Sequence, residues 1–343
     1  MNQATNTPAD RGYAMPAEWD DHAGCLMSWP TRAQLWGNRL DEAKRDYAAV
    51  ARAIVDFEPL FVVCPPGSEP EVRDRCGSKV QVVAAPLDDS WIRDNGPIFV
   101  RDSHGRVAAV NFRFNAWGER WHPYDSDDAL PRRLAEFFGV EIFDAPMVLE
   151  GGAFFVDGEG TLLTTEQCLL NPNRNPTLTR GEIEQTLREY LGVSQVIWLP
   201  FGHSLDVGPE GTDGHVDGIA QYLSPGQIVL EVPRDPQASE FASGRRNRES
   251  LNDVVDAAGR PLVVSELDPP PDAAVAYCNY YLANDAVIVP ISGDSRDDGP
   301  LEQLGRLHPN RKVVGVPGEV LAYGGGGPHC ITQQIPAGPS LAF

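Results

Sequence analysis

A repeat constrains this chain more than any other feature. Turn signals at Gly105, Gly160, Gly226 and Asn284 recur at intervals of roughly 55 to 66 residues. Around them, helical and β-rich stretches alternate. Apolar periodicity predicts helices over 39–56, 127–138, 179–191, 238–258 and 299–308. The helix at 179–191 opens on Thr179 and Glu182 as a capping box and stops at Gly192, while 238–258 runs to Gly259. Between them lie "LFVVCP", "VQVVAAP", "RVAAVNF", "VEIFDAP", "TLLTTE", "QVIWLP", "QIVLEV", "PLVVSE", "AVIVPIS" and "KVVGVP". Each unit reads as a polar, glycine-bearing segment, a strand, a turn, a second strand and a helix. No such unit can bury its helix face and strands alone, so five of them predict one closed ring and not two domains. The expectation is an α/β fold in a single domain over 1–343, with 1–12 a flexible leader.

The same place in each unit carries "DDSWIRDNGP", "LEGGAFF", "DGHVDGIAQY", "YCNYYLAN" and "GGGGPHCITQQ". An acid, an acid, a His–Asp pair, an asparagine and a His–Cys pair therefore occupy equivalent positions. In a ring such positions converge on the axis, and five polar segments meeting there describe a pocket.

Charge narrows the partners. The formal net charge is 28 − 49 = −21, which disfavours nucleic acid, since phosphate binding needs clustered Lys and Arg. An acidic surface favours cationic small molecules, or simply solubility. The six cysteines (Cys25, Cys64, Cys76, Cys168, Cys278 and Cys330) are scattered without a C-x-x-C pair. The start lacks the basic and apolar regions of a signal peptide, and no apolar run approaches a membrane span. Reduced thiols in a cytoplasm, with no membrane partner, fit this pattern best.

Cys330 stands out among the thiols because it follows four glycines and a histidine. From this stretch alone, a nucleophile and a packed core thiol are equal readings, while Cys64 and Cys168 read as core. Glycine is the costliest residue to order, so Gly324 to Gly327 need a reason. A phosphate cradle lacks the following Lys, and a loose tail conflicts with "CITQQIP" reading as a strand. The remaining reading is a turn that brings backbone close to a substrate and delivers Cys330. His215 in "GHVDG" titrates in the range a proton carrier needs. If H-x-D lies on a strand, His215 and Asp217 share a face. Zinc deaminases carry H-x-E with a later P-C-x-x-C, and neither is present here, so no metal is expected. Asp94 and Glu150 sit in tight backbone contexts, and Asp88 and Asp89 lie just upstream. Buried carboxylates need cationic partners, and a planar, many-donored guanidinium matches several at once.

At these residues the sequence resembles the agmatine deiminase family of the guanidine-modifying superfamily. The resemblance rests on "MPAEWDDH" with "SWP", "DDSWIRDNGP", "FNAWG", "LEGGAFFVDGEGTLLTTEQCLLNPNRNP", "GTDGHVDG", "YYLANDAVIVP" and "GGGGPHCITQQIP". It implies a five-bladed α/β propeller of pseudo-symmetric ββαβ units around a central active-site pocket, with no cofactor. It implies Cys330 as the nucleophile forming a thiouronium adduct and His215 as acid and then base. Asp94 and Asp217 would hold the guanidinium nitrogens and Glu150 would support His215 or the guanidinium. Trp91 would wall the pocket and Gly327 would shape its mouth, with Asp88 and Asn279 among the substrate-binding residues. The implied reaction turns agmatine and water into N-carbamoylputrescine and ammonia. Three departures stand out: Gly327–Pro328 where Asn–Ile is usual, and Glu119 and Asp285 where glycine is usual.

Other readings share parts of this set. Free or C-terminal peptidyl arginine would need a basic residue for its carboxylate, for which Arg113 or Arg93 are candidates. Amidinotransfer would use the same nucleophile, and a non-catalytic propeller would only bind a cation. The sequence leaves a homo-oligomer open.

Overall fold

The computed structural model describes residues 6–208, 211–270, 273–339 and 341. Its repeating element is a hairpin that turns at a left-handed residue. Gly105, Gly160 and Gly226 have φ of 79°, 102° and 73°, a conformation glycine adopts without a Cβ clash. In the first blade Ile98–Asp102 pairs antiparallel with Val107–Arg113. The helix Leu130–Phe138 then crosses over and returns as Glu141–Val148, parallel to its neighbour. The second blade repeats this with Phe154–Val156, Thr161–Thr165, helix Arg180–Leu191 and Gln195–Leu199. The third uses Ala220–Ser224, Gln227–Glu231, helix Phe241–Ser250 and Val263–Leu267. The fourth uses Tyr281–Ala283, Ala286–Ile291, helix Asp298–Leu307 and Lys312–Pro317.

The fifth blade has no hairpin, because the two ends of the chain meet in it. Thr332–Pro336 pairs antiparallel with His22–Ser28, which continues in parallel into Leu60–Cys64 and Gln81–Ala84. Five separate sheets of three or four strands result, a five-bladed α/β propeller. Its crossover helix, Leu40–Ile54, buries Ala43, Tyr47, Val50, Ala51 and Ile54 on one face.

Most predicted helices match to within two residues or so at their ends, including the capping box of Thr179 with Glu182 and the left-handed Gly192. The helix expected over 238–258 is a correction: it stops at Ser250, and Val255 and Pro261 form an isolated bridge beyond it. Helix Glu69–Cys76 has no counterpart in the apolar periodicity, because it buries only Val72 and Cys76 and so has little apolar stripe. Of the expected leader, residues 1–5 lie outside the described residues. The rest is docked: Ala9–Arg11 form a 3₁₀ turn and Arg11 pairs with Glu141.

Closure is secured by a buried polar knot between the fifth and fourth blades. Glu58 accepts from Tyr281 Oη at 2.5 Å and the Asn284 amide at 2.8 Å, and meets His22 Nδ1 at 3.1 Å. The main chain of His22 exchanges two hydrogen bonds with the side chain of Asn284. Glu58→Ala would orphan these groups in the interior. It should lower unfolding free energy by about 3–5 kcal/mol, read from urea unfolding; a loss under about 1 kcal/mol would contradict this role for the knot.

Candidate active site

Each blade is preceded by a short segment that turns at the hub, and these segments carry the candidate residues. Trp91 caps the short helix Ile92–Asn95, which holds Asp94. Glu150 precedes the 3₁₀ turn Gly151–Ala153, and His215 precedes Val216–Gly218 with Asp217 inside it. The H-x-D pair thus lies on a turn and not on the strand expected from alternation. Both side chains still enter the same space: a Cβ on Gly152 would sit 2.7 Å from His215 Nδ1, 2.8 Å from Asp94 Oδ1 and 2.9 Å from Asp217 Oδ2. Glycine at 152 is therefore what lets three charged side chains converge, while its amide donates to Asp94 Oδ1 at 2.9 Å.

Cys330 is buried, and Asn279 holds it from one side. The Asn279 Nδ2 donates to Sγ at 3.1 Å, and its Oδ1 accepts from the Cys330 amide at 3.4 Å. Asp217 Oδ2 lies 3.3 Å from Sγ. Of the four glycines, only Gly325 is left-handed, at φ 99°. The others permit close approach. A Cβ would lie 2.2 Å from the Trp36 ring at 324, 3.0 Å from Cys330 Sγ at 326 and 2.6 Å from Asn279 Oδ1 at 327.

Two connected hollows meet at Cys330. The larger, about 700 Å³ including its mouth, is lined by Asp206, Asp217, Asn279, Gly327 and Cys330 among others. The smaller is walled by Trp91, Trp117 and Trp121 with Asp94, and Trp91 stacks on Trp36 at 5.9 Å between ring centroids. Trp117 reaches the site from a strained loop. Ala116, Trp117, Gly118 and Glu119 have successive φ of 50°, 56°, 90° and 61°, which costs roughly 1–2 kcal/mol for each residue with a Cβ. The loop is held by Asn115, whose side chain accepts from the Gly118 amide, and by Trp117 Nε1, which donates to Asp94 Oδ2 at 2.9 Å. Glu119 and Asp285, the latter at φ 59°, occupy the two left-handed positions where the resemblance expects glycine.

The electrostatics follow from burial. Burial pushes the Cys330 thiol well up, Asp217 and Asp94 push it further, and the Gly327 amide and Asn279 oppose them. Burial would lower His215, but Asp94, Cys168 and Glu150 together outweigh it and hold the imidazole well above its ordinary value. Asp94 is raised by burial, with His215 opposing and Asp217 and Glu150 reinforcing. Asp217 would rise on burial, but the hydrogen bond and charge of His329 bring it below the usual range. The resting pocket thus tends to a neutral thiol beside a cationic His215. Neither His215 ring nitrogen has a hydrogen-bond partner; Asp94 Oδ1 is 3.7 Å away.

Glu150 is fully buried, and its Oε1 accepts from Arg174 Nε at 2.6 Å while Oε2 is unpartnered. Cys168, read from the sequence as core, brings its thiol within 4.8 Å of both Glu150 and His215. Sulfur, nitrogen and oxygen donors of that kind suit zinc, but the Arg174 guanidinium on Glu150 and the cationic tendency of His215 both oppose a cation there. Asp88 is not brought to the hub with the others. It lines neither hollow, and its Oδ2 accepts from the Ser126 amide at 2.7 Å. Arg113 opens on a different cavity with Asn115, Glu119 and Arg174. Arg93 is buried behind Cys330, donating to Gln334 Oε1 at 2.6 Å and to the His329 carbonyl at 3.3 Å. Trp117, Asp206, Cys168 and Glu18 went unassigned in the sequence. Glu18, Trp117 and Cys168 lie within motifs that carry the resemblance, in "MPAEW", "FNAWG" and "TTEQCLL", whereas Asp206 lies outside all of them.

A cysteine, a histidine and converging carboxylates at the hub of a five-bladed α/β propeller define the guanidine-modifying class of enzymes. The model of the Porphyromonas-type peptidyl-arginine deiminase family matches residues 14–336, and the chain belongs to that family. It is similar to the agmatine deiminase of Pseudomonas aeruginosa, 39% identical across 98% of this chain and 99% of the other. Among solved structures it is similar to the agmatine deiminase of Enterococcus faecalis, at TM-score 0.92 and 35% identity over 96% of this chain and 97% of that one. It is also similar to the agmatine deiminase of C. jejuni, at TM-score 0.81 and 27% identity over 96% and 98%.

Gly326→Ala tests the close approach. Its Cβ would press on Sγ and on the Trp91 ring, 2.6 Å away, and misplacing a reacting atom by an ångström costs about 10²-fold. Turnover should fall by at least about that factor while Tm moves by only a few degrees; parent-like turnover would contradict the geometry.

Proposed function

We propose that the chain is a single-domain cytoplasmic agmatine deiminase that converts agmatine and water to N-carbamoylputrescine and ammonia. The observation that carries this reading is the lining of the two hollows around Cys330. It holds Asp94, Asp206 and Asp217, and among the described residues no Arg or Lys. An arginine carboxylate would find no basic partner there, since Arg113 and Arg93 are turned elsewhere. A dication with a guanidinium at one end and an amine at the other matches the acids at both ends. The names of the similar proteins support the same substrate.

In this reading Asp94 and Asp217 grip the guanidinium nitrogens, with Glu150 close behind. Arrival of that cation offsets the carboxylate field that keeps the Cys330 thiol protonated. The thiol proton passes to solvent, and the thiolate attacks the guanidinium carbon, forming an S–C bond. His215 gives its proton to the departing nitrogen, so ammonia leaves and a thiouronium adduct remains. The neutral imidazole then takes a proton from water. The resulting hydroxide attacks the same carbon, the C–S bond breaks as the hydroxyl proton passes to the departing sulfur, and the ureido product leaves with the Cys330 thiol restored. The unpartnered ring nitrogens of His215 leave it free for both transfers. The six cysteines are all unpaired, in keeping with a reducing compartment. A homo-oligomer is compatible with this chemistry.

Asp206 is assigned to the amine end. It is half-buried, and burial pushes its carboxyl up to about 7, with His215 opposing and Asp217 and Glu240 reinforcing. A raised carboxyl loses its charge as pH falls through that value, so kcat/KM for agmatine should drop on the acid side of about pH 7. Asp206→Asn should raise KM by about tenfold or more with kcat nearly unchanged and remove that acid limb. The assay is ammonia release from agmatine, free arginine and an arginine-terminated peptide in parallel. Preference for arginine or the peptide would overturn the substrate assignment, and an unchanged KM in the variant would overturn the role of Asp206.

A further inference from the structure

The two histidines at the hub are wired in opposite ways. Whereas His215 has both ring nitrogens unpartnered, His329 has both engaged: Nδ1 meets Asp217 Oδ2 at 2.8 Å and Nε2 meets Glu18 Oε2 at 2.9 Å. Its ring is fully buried and packs on Phe155 at 4.8 Å between centroids. An imidazole flanked by two ionised carboxylates donates to both only when it carries both protons. Although it precedes Cys330 in the chain, it therefore has no ring nitrogen left to serve as a base for the thiol.

Glu18 comes from the N-terminal segment and is itself pinned. Its Oε1 accepts from the Leu282 amide at 3.0 Å, and its Oε2 lies 3.4 Å from Arg93 Nη2. We propose that Glu18 and His329 form a buried charge relay that keeps Asp217 ionised and aimed at the substrate guanidinium, which makes both of them positioning residues. The need for one is visible in the surroundings. Asp217 shares its end of the pocket with Asp94 and the Cys330 sulfur, and the neighbour fixed against it is His329, with His215 across the hollow. A protonated Asp217 would present an O–H to an N–H donor and could no longer hold a guanidinium. Glu18 faces His329 and Arg93, so the chain of alternating charge runs from Arg93 through Glu18 and His329 to Asp217.

This inference rests on the guanidinium reading of the pocket, and the test separates the two. Cys330 displaces chloride from either 2-chloroacetamidine, a cation shaped like half a guanidine, or neutral 2-chloroacetamide. In both, the S–C bond forms, chloride leaves, and the thiol proton passes to solvent. The unmodified protein should react at least about tenfold faster with the amidine. Glu18→Gln keeps the shape and removes the charge. It should cut the amidine rate by about tenfold or more while changing the chloroacetamide rate less than about threefold, and Glu18→Asp should recover part of the loss. Steady-state agmatine kinetics of Glu18→Gln should show the loss mainly in KM. An unchanged ratio of the two alkylation rates in Glu18→Gln would overturn the relay. No amidine preference in the unmodified protein would overturn the guanidinium reading and the relay with it. Should Glu18→Gln fail to fold, nitrogen NMR of the unmodified protein decides: both ring nitrogens of His329 protonated at neutral pH supports the relay, and a neutral ring overturns it.

Discussion

Carboxylates gathered at the hub with too few cations to match them are the constraint on which the rest of this structure depends. Asp94, Asp217 and Glu150 are all buried, and burying a charge is tolerated only with a partner. Two partners are built in, Arg174 for Glu150 and His329 for Asp217. Asp94 has a tryptophan N–H, a glycine amide and a distant His215 instead. The remaining deficit is what a cationic substrate fills, and its arrival also removes the field that holds the thiol protonated. Recognition and activation are thus one electrostatic event.

Convergence of so many side chains demands that the backbone yield space. Gly152 stands where a Cβ would touch His215, Asp94 and Asp217 together, and Gly326 and Gly327 do the same for Cys330 and Asn279. The left-handed run at 116–119 is the opposite case, a strained conformation accepted so that Trp117 can donate to Asp94. The propeller makes both affordable, because strands with near-complete burial hold each hub segment at its end. Closure of the ring by pairing Thr332–Pro336 with His22–Ser28 sets Cys330, two residues before that strand, against the other four segments.

Much of this was legible because symmetry repeats its signals. The period of the turns, the helix faces and the polar segment ahead of each blade are local patterns, and they lead from residues to ring to pocket. Cys330, His215, Asp94, Asp217 and Asn279 all meet where equivalent positions converge. What escaped is what depends on distance between segments far apart in the chain. Cys168 sits in "TTEQCLL", whose apolar context reads as core, yet its neighbour is His215. Asp88 carries the same local signal as Asp94 but turns to Ser126. Glu18 lies more than 300 residues from the histidine it meets, at |i−j| of 311, and no local pattern encodes that contact. His215 and Asp217 were joined by strand alternation, whereas a 3₁₀ turn brings them together.

The central claim is that the Cys330 sulfur bonds to the guanidinium carbon during turnover. Rapid acid quench of the enzyme with agmatine, followed by mass spectrometry of the peptide containing Cys330, tests it directly. The account predicts a population of that peptide heavier by agmatine less ammonia, appearing with the first release of ammonia and lost as the ureido product forms. Ammonia and ureido product formed together at every time point, with Cys330 unmodified throughout, would contradict it.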